Sequence, residues 1–207
     1  MNVYEIRHGE TFRMLVGKAP DEFEQFLFHP HGQAFGSAWR PAKFKYRGPS
    51  AEDYQGEVLN GDFVSVGFYM GLSPKAVAMF GPLFQRYGEL LPLDVEGEPN
   101  KVMWFHCTTV IDALDEVKSN VSRSPTTGQL HNINLHVFLK DRIPDDVLMF
   151  QLPYGKSAVF CTDTFKHTIE RSGLTGLEFW LRWSDEPEGI ERMRKWATAH
   201  LRPRTVR

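Results

Sequence analysis

The stretch AVFCTDTFKHTIERSGLTGLEFWLRW, residues 158–183, decides the fold class. Its apolar start predicts a strand, and the pair Thr162-Asp163 then supplies the kind of side chains that begin a helix. Gly173 predicts the end of this helix, because glycine readily adopts the left-handed conformation found there. Over residues 177–183 apolar and polar side chains alternate, which predicts a second strand. A helix therefore joins two strands in this part of the chain.

Similar patterns on both sides of this stretch predict the other elements. Ser73 followed by Pro74 marks a helix start, since proline is tolerated in the first turn. Gly81-Pro82 should kink or interrupt that helix. Strands are predicted at 3–7, 43–46, 89–95, 101–109, 130–139, 150–152 and 158–161, and helices at 21–28, 74–87, 163–172 and 187–200.

The order of these elements predicts an α+β fold. Strands follow one another with short turns, without the regular strand–helix alternation of a doubly wound parallel sheet. We expect a single domain over residues 1–207, built on a central, mainly antiparallel sheet with about three peripheral helices. Residues 9–61 are interrupted by glycine and proline and predict an irregular stretch, and residues 192–207 form a basic C-terminal tail.

The composition is that of an ordinary globular domain, with 42% hydrophobic and 24% charged residues, which excludes a disordered chain. Residues 192–207 hold six basic residues and no acid, so the net charge of −2 leaves −8 on the rest of the chain. An acidic body disfavours nucleic acid and favours basic partners. No apolar stretch approaches the roughly 18 residues of a membrane span, and the N-terminal residues lack the apolar core of a signal peptide. We therefore expect a cytoplasmic protein that binds neither nucleic acid nor membranes.

The sequence contains no recognisable catalytic motif. Residues 155–157 (GKS) lack the earlier glycine of a phosphate-binding loop, because Phe150 stands in its place. Cys107 and Cys161 each lie in an apolar segment, which predicts two buried, reduced thiols instead of a disulfide or a zinc site. We therefore expect no catalytic residue, no cofactor and no metal.

The histidine pair His29-x-His31 leaves one catalytic alternative open. Two histidines at this spacing can point at one metal ion, although Pro30 favours a turn here. If the fold brought Asp62 or Asp112 close to them, the set would suit a small metal-assisted hydrolase.

Several short stretches, taken in order, form a pattern that extends from about Trp39 to Trp183. They are WRP at 39–41, GDF at 61–63, SPKA at 73–76, YGELLPL at 87–93, VIDALD at 110–115, FCTDTF at 160–165 and GLTGLEF at 173–179. Their order and spacing resemble a large bacterial family, formerly described as a domain of unknown function. That family is now assigned to the immunity proteins of polymorphic toxin systems.

The resemblance implies a protein that is encoded beside a toxin gene and neutralises the toxin by occlusion, without catalysis. Acids and aromatics in the loops are the candidate partner-binding residues: Asp53, Tyr54, Asp94, Glu96, Asp115 and Glu116. The sequence leaves open whether the protein forms a homodimer. A further alternative is a scaffolding or adaptor protein of a secretion system, which would bind a secreted component without inhibiting it.

Overall fold

The computed structural model describes residues 1–48, 59–128, 130–154, 158–189 and 191. The strands in chain order are β1 (Asn2–His8), β2 (Met14–Gly17), β3 (Lys43–Arg47), β4 (Phe63–Val66), β5 (Tyr69–Leu72), β6 (Gly88–Val95), β7 (Glu98–Cys107), β8 (Asn120–Arg123), β9 (Leu130–Leu135), β10 (Met149–Phe150), β11 (Phe160–Thr162) and β12 (Leu177–Ser184). The α-helices are α1 (Glu24–Phe28), α2 (Pro74–Gln85) and α3 (Asp163–Ser172), and short 3-10 helices occur at Pro20–Phe23, Gly36–Ala38 and Lys140–Arg142.

Within the described residues, six strands close into a barrel in the order β2-β3-β6-β7-β5-β4. Neighbouring barrel strands are antiparallel except for the pairs β2–β4 and β3–β6, which are parallel. A cluster of aromatic rings belongs to the barrel core, where the Trp104 ring centroid lies 4.2 Å from that of Phe26 and 5.2 Å from that of Trp39. The predicted α+β class is confirmed. The prediction of a central, mainly antiparallel sheet is wrong in detail, because the barrel closes through two parallel pairs.

A second sheet is entirely antiparallel and has the order β10-β11-β1-β12. On one side it shares a hydrophobic core with the barrel and with α2 and α3, around Ile6, Phe84, Phe105 and Phe165. On the other side a separate core forms around Phe160, with residues from the segment between β7 and β10. The β8–β9 hairpin contributes to the core around Phe160 and covers part of this face of the second sheet.

Helix α2 begins where the sequence predicts. Ser73 is its N-cap, and the Ser73 hydroxyl accepts a hydrogen bond from the Ala76 N–H at 3.2 Å. The predicted interruption is wrong, because the helix runs through Pro82 to Gln85. Pro82 and Ala78 both lie on the exposed face. Water can therefore bind the Ala78 carbonyl, which Pro82 deprives of its usual N–H partner.

Helix α3 ends as predicted at Gly173, whose φ of 70° is left-handed. It also begins as predicted, at Asp163, although the side chain of the N-cap residue Thr162 makes no capping hydrogen bond. The Asp163 carboxylate instead accepts hydrogen bonds from the backbone and side-chain amides of Asn2, at 2.8 and 2.9 Å, and from the Tyr4 hydroxyl at 3.1 Å. This carboxylate ties α3 to β1.

Several predictions fall partly outside the described residues. Of the predicted helix at 187–200, residues 187–189 are helical, and the basic tail at 192–207 lies outside. Residues 49–58 of the predicted irregular stretch also lie outside, while the rest of that stretch contains β2, α1 and β3.

Two further features concern thiols and membranes. Cys107 and Cys161 are buried and free, which confirms the prediction of buried, reduced thiols. Among the helices that the structure describes, none has both the length and the apolar character needed to cross a membrane.

Candidate partner-binding cleft

A cleft of about 590 Å³ lies on the second sheet beside the β8–β9 hairpin. Glu5 and Arg7 are two residues apart on β1 and share a face, as do Trp180 and Arg182 on β12. Because β1 and β12 are paired, with Glu5 opposite Trp180, these four side chains lie together in the cleft. The β4–β5 turn, which carries Phe68, and strand β9 also line it. We call this site the Arg–Trp cleft.

The Glu5 carboxylate lies between two arginines. Its Oε1 atom is 2.8 Å from Nε of Arg7, and its Oε2 atom is 2.6 Å from Nη2 of Arg182, whose Nε also donates to it at 2.6 Å. The Glu5 side chain is only 7% exposed, against 43% for Arg7 and 21% for Arg182. A buried carboxylate is costly unless cations compensate it. Glu5 thereby holds both guanidinium groups in place at the cleft.

After Glu5, the Trp180 ring is the second group that holds the two arginines in place. Cζ of Arg7 lies 5.1 Å, and Cζ of Arg182 5.4 Å, from the centre of the Trp180 ring system. A guanidinium over an aromatic face gains a cation–π attraction. The indole N–H donates to the Glu178 carboxylate at 3.1 Å, which orients the ring. The positively charged part of the cleft is therefore formed before any partner arrives.

Two histidines that line the cleft are neutral at pH 7. Burial, together with the positive charge of Arg182, lowers the pKa of His136 to about 4. Burial also lowers the pKa of His8 to about 4, and Nε2 of His8 lies 3.1 Å from the Tyr69 carbonyl oxygen. The positive charge of the lining side chains at neutral pH thus comes from Arg182 and Arg7.

Phe68 stands at the edge of the cleft with 82% of its surface exposed. It sits in the β4–β5 turn after Gly67, whose φ of 61° is left-handed. The Ser65 hydroxyl donates to the Gly67 carbonyl at 2.8 Å and closes the turn. An aromatic ring held in solvent on a short turn is typical of an anchor for a binding partner.

Of the first four predicted partner-binding residues, the structure describes Asp94 and Glu96. Asp53 and Tyr54 lie outside the described residues. Asp94 is half-buried at the end of β6, and Glu96 is exposed in the turn that follows. Glu96 forms an ion pair with Lys18 at 3.4 Å.

Asp115 and Glu116 lie in the loop between β7 and β8. The Asp115 carboxylate accepts hydrogen bonds from the backbone N–H groups of Val117 and Lys118, at 3.2 and 3.1 Å. These bonds to Lys118, together with its charge, hold the pKa of Asp115 below its usual range. Glu116 pairs with Arg123. None of the predicted partner-binding residues that the structure describes lines the Arg–Trp cleft, and their role stays a prediction.

The residues considered for a metal-assisted hydrolase are held by other contacts. Nε2 of His29 and Nε2 of His31 each lie against a backbone carbonyl oxygen, at 2.8 and 3.0 Å. Asp62 accepts hydrogen bonds from the amide and hydroxyl of Thr175, and Asp112 accepts one from a tyrosine. Across the described ranges, no three His, Cys, Asp or Glu side chains are grouped so that they could hold one metal ion.

The sequence interpretation did not find the Arg–Trp cleft. Both strands that form the floor of the cleft are predicted. The alternation within residues 3–7 already places Glu5 and Arg7 on one face of a strand, and that within residues 177–183 does the same for Trp180 and Arg182. The missing information is the pairing of β1 with β12, which brings together side chains 177 positions apart, such as Glu5 and Arg182. Charged residues on one face of two separate strands were the only local signal.

Residues 93–181 match the family model described as the immunity protein family Imm11. The comparison with curated proteins gives no match. The matched segment runs from the end of β6 into β12 and includes Trp180 of the cleft. The predicted resemblance is thereby confirmed: from residue 93 to residue 181 the chain carries the pattern of the Imm11 immunity protein family.

Proposed function

We propose that this protein is an immunity protein that binds a cognate bacterial toxin and neutralises it by occlusion, in the cytoplasm of the cell that makes both. The match of residues 93–181 to the Imm11 family is the observation that carries the proposal. The toxin would be the product of an adjoining gene. The proposed partner is a protein, and neither nucleic acid nor a membrane takes part in the inhibition.

Occlusion requires that the binding surface of the immunity protein is largely formed before the toxin arrives, because ordering loops on binding lowers the affinity. Two features support this requirement. The barrel is closed and has an aromatic core around Trp104, and the arginines of the Arg–Trp cleft are already fixed by Glu5 and Trp180. A specific interface buries roughly 1,200–2,000 Å² in total, and a few aromatic or charged anchors supply most of its binding energy.

Co-expression with the product of the adjoining gene tests the proposal. The toxin expressed alone should stop growth, and the toxin expressed with this protein should allow it. A complex of the two should then co-purify from the same cells. If growth is not restored and no complex forms, the proposal is wrong.

A second experiment separates occlusion from enzymatic inactivation of the toxin. Purified toxin activity should fall linearly as this protein is added and should reach zero near one protein per toxin. Toxin recovered from the complex by denaturation and refolding should be active and unchanged in mass. Inactivation by a small fraction of an equivalent, or a permanent change in toxin mass, would indicate catalysis and contradict the occlusion mechanism.

The predicted contact residues can be assessed in the same assay. Asp94 with Glu96, and Asp115 with Glu116, are changed in pairs to the corresponding amides. A pair in the interface should weaken the complex, and the loss should shrink as salt is raised, because exposed charges are screened. Size-exclusion chromatography of the protein alone settles whether it is a homodimer.

A further inference from the structure

We infer that the Arg–Trp cleft is the place where the toxin inserts an acidic side chain, with Phe68 packing against the toxin beside it. This inference rests on the proposed function and adds the chemistry of the partner surface. It concerns four residues of the floor and rim, Arg7, Arg182, Trp180 and Phe68, which are not among the predicted contact residues.

The charges in the cleft favour an anionic group. Two guanidinium groups face one buried carboxylate, so Glu5 neutralises only half of their charge. The contacts with Glu5 use Nε of Arg7 and Nε and Nη2 of Arg182. Within the described part of the chain, the other guanidinium nitrogens make no hydrogen bond. Two other acids lie close by, Glu10 in the lining of the cleft and Glu178 opposite Arg7 on β12, but both are exposed, and water screens their charge.

The cleft is prepared for a carboxylate in particular. A guanidinium presents its N–H groups in a plane that matches the two oxygens of a carboxylate. Glu5 and Trp180 restrict the rotation of both arginines, so little side-chain entropy remains to be lost on binding. The neutral rings of His136 and Phe160 line the same cleft and add no competing charge. Charge-assisted hydrogen bonds are stronger in such partly apolar surroundings than in water.

The size of the cleft and the position of Phe68 favour a protein loop as the occupant. A volume of about 590 Å³ accommodates a few side chains. A small free anion would fill part of it but would leave the Phe68 ring, which is 82% exposed, in water. A loop that places a carboxylate between the arginines can cover this ring with its flanking residues. Aromatic side chains and arginines are the residue types that most often dominate interface energies.

The test compares variants in their affinity for the purified toxin. Phe68→Ser and Arg7→Gln should each raise the Kd by about tenfold or more. Both side chains are well exposed, so the variants should fold, which thermal unfolding checks. The matched controls are Phe28→Ser, an aromatic residue that is 77% exposed on α1, and Arg142→Gln, an exposed arginine paired with Asp112. Neither control residue lines the cleft, and each control should change the Kd less than twofold.

Salt and charge reversal provide the second readout. The Kd of the unchanged protein should rise with NaCl concentration, and the rise should be smaller for Arg7→Gln. Arg7→Glu should abolish binding, and a toxin variant with lysine in place of the inserted acid should restore it. If the unchanged protein neutralises the toxin while both cleft variants bind it within twofold of normal, the inference is wrong and the proposed function stands. If the unchanged protein neither binds nor protects, the proposed function fails and the inference falls with it.

Discussion

Gly176 lies directly against the backbone of Phe63. A Cβ atom at position 176 would be 2.2 Å from the Phe63 carbonyl oxygen, and the φ of Gly176 is +106°. The Phe63 N–H donates to the Thr175 carbonyl at 2.9 Å, and the Gly9 N–H donates to the Gly176 carbonyl at 3.2 Å. The barrel and the second sheet are therefore joined through backbone groups at a point where only glycine fits.

Gly176→Ala should lower the free energy of unfolding by about 3 kcal/mol or more, since the methyl group adds both backbone strain and overlap. Gly97→Ala is the matched control. Its φ of +79° is also left-handed, but nothing lies within 4 Å of the added Cβ, so it should cost about 1 kcal/mol. Urea denaturation measures both values. Equal losses would show that the contact with Phe63 is not the cause.

Acid should destabilise the protein through its buried histidines. The pKa of His136 is lowered to about 4 in the fold, against an ordinary value of 6.5, so the unfolded chain binds a proton that the folded chain does not. The free energy of unfolding should therefore fall as pH drops from about 6.5 to about 4, by roughly 2–3 kcal/mol for this residue. His8 acts in the same direction.

Urea denaturation at several pH values, with His136→Phe alongside, measures this effect. The variant cannot take up the proton, so its stability should depend less on pH between 4 and 6.5. An identical pH dependence in the two proteins would contradict the assignment to His136.

Glu5→Gln should destabilise the protein, because it leaves Arg7 and Arg182 close together without the carboxylate between them. Removing one partner of a fully buried ion pair costs about 3–5 kcal/mol, and the partial exposure of both arginines reduces our expectation to about 2 kcal/mol. Glu24→Gln is the control, an exposed acid on α1. It should change the unfolding free energy by less than about 0.5 kcal/mol. Similar losses from the two variants would refute a special role for Glu5.

The two thiols should not react in the folded protein. Burial raises the pKa of Cys107 to about 12 and that of Cys161 well above its usual range, and the thiolate is the reactive form. Ellman's reagent should release no colour from the native protein at pH 8 and two equivalents in denaturant, since the chain has 2 cysteines. Rapid reaction of either thiol under native conditions would mean that its segment opens readily.

The sequence predicts best those elements whose ends are marked by characteristic residues within a short stretch of chain. Ser73-Pro74 marks the start of α2, and Gly173 marks the end of α3, because capping depends on side chains next to the helix end. Strand β8 was missed, since its sequence NVSR is short and mostly polar and lacks the apolar alternation of a core strand.

Closure of the barrel could not be predicted from such local signals. It depends on the parallel pairing of β2 with β4 and of β3 with β6, which are separated by long stretches of chain. Neither an apolar run nor a turn residue specifies which distant strand will be the neighbour. The Arg–Trp cleft was missed for the same reason, because its two halves belong to strands near opposite ends of the described residues.

The pairing of β1 also affects how the chain is made. Val3 pairs with Thr162, and Asn2 pairs with Ser184, so the first strand has no partner until most of the chain has been synthesised. At about 5–20 residues per second, a ribosome needs roughly 10–30 s to reach β11. During that time β1 presents unpaired backbone groups to any other strand, and contacts so distant in sequence also form slowly. Translation speed and chaperones that hold the nascent chain would therefore affect how much native protein each message yields.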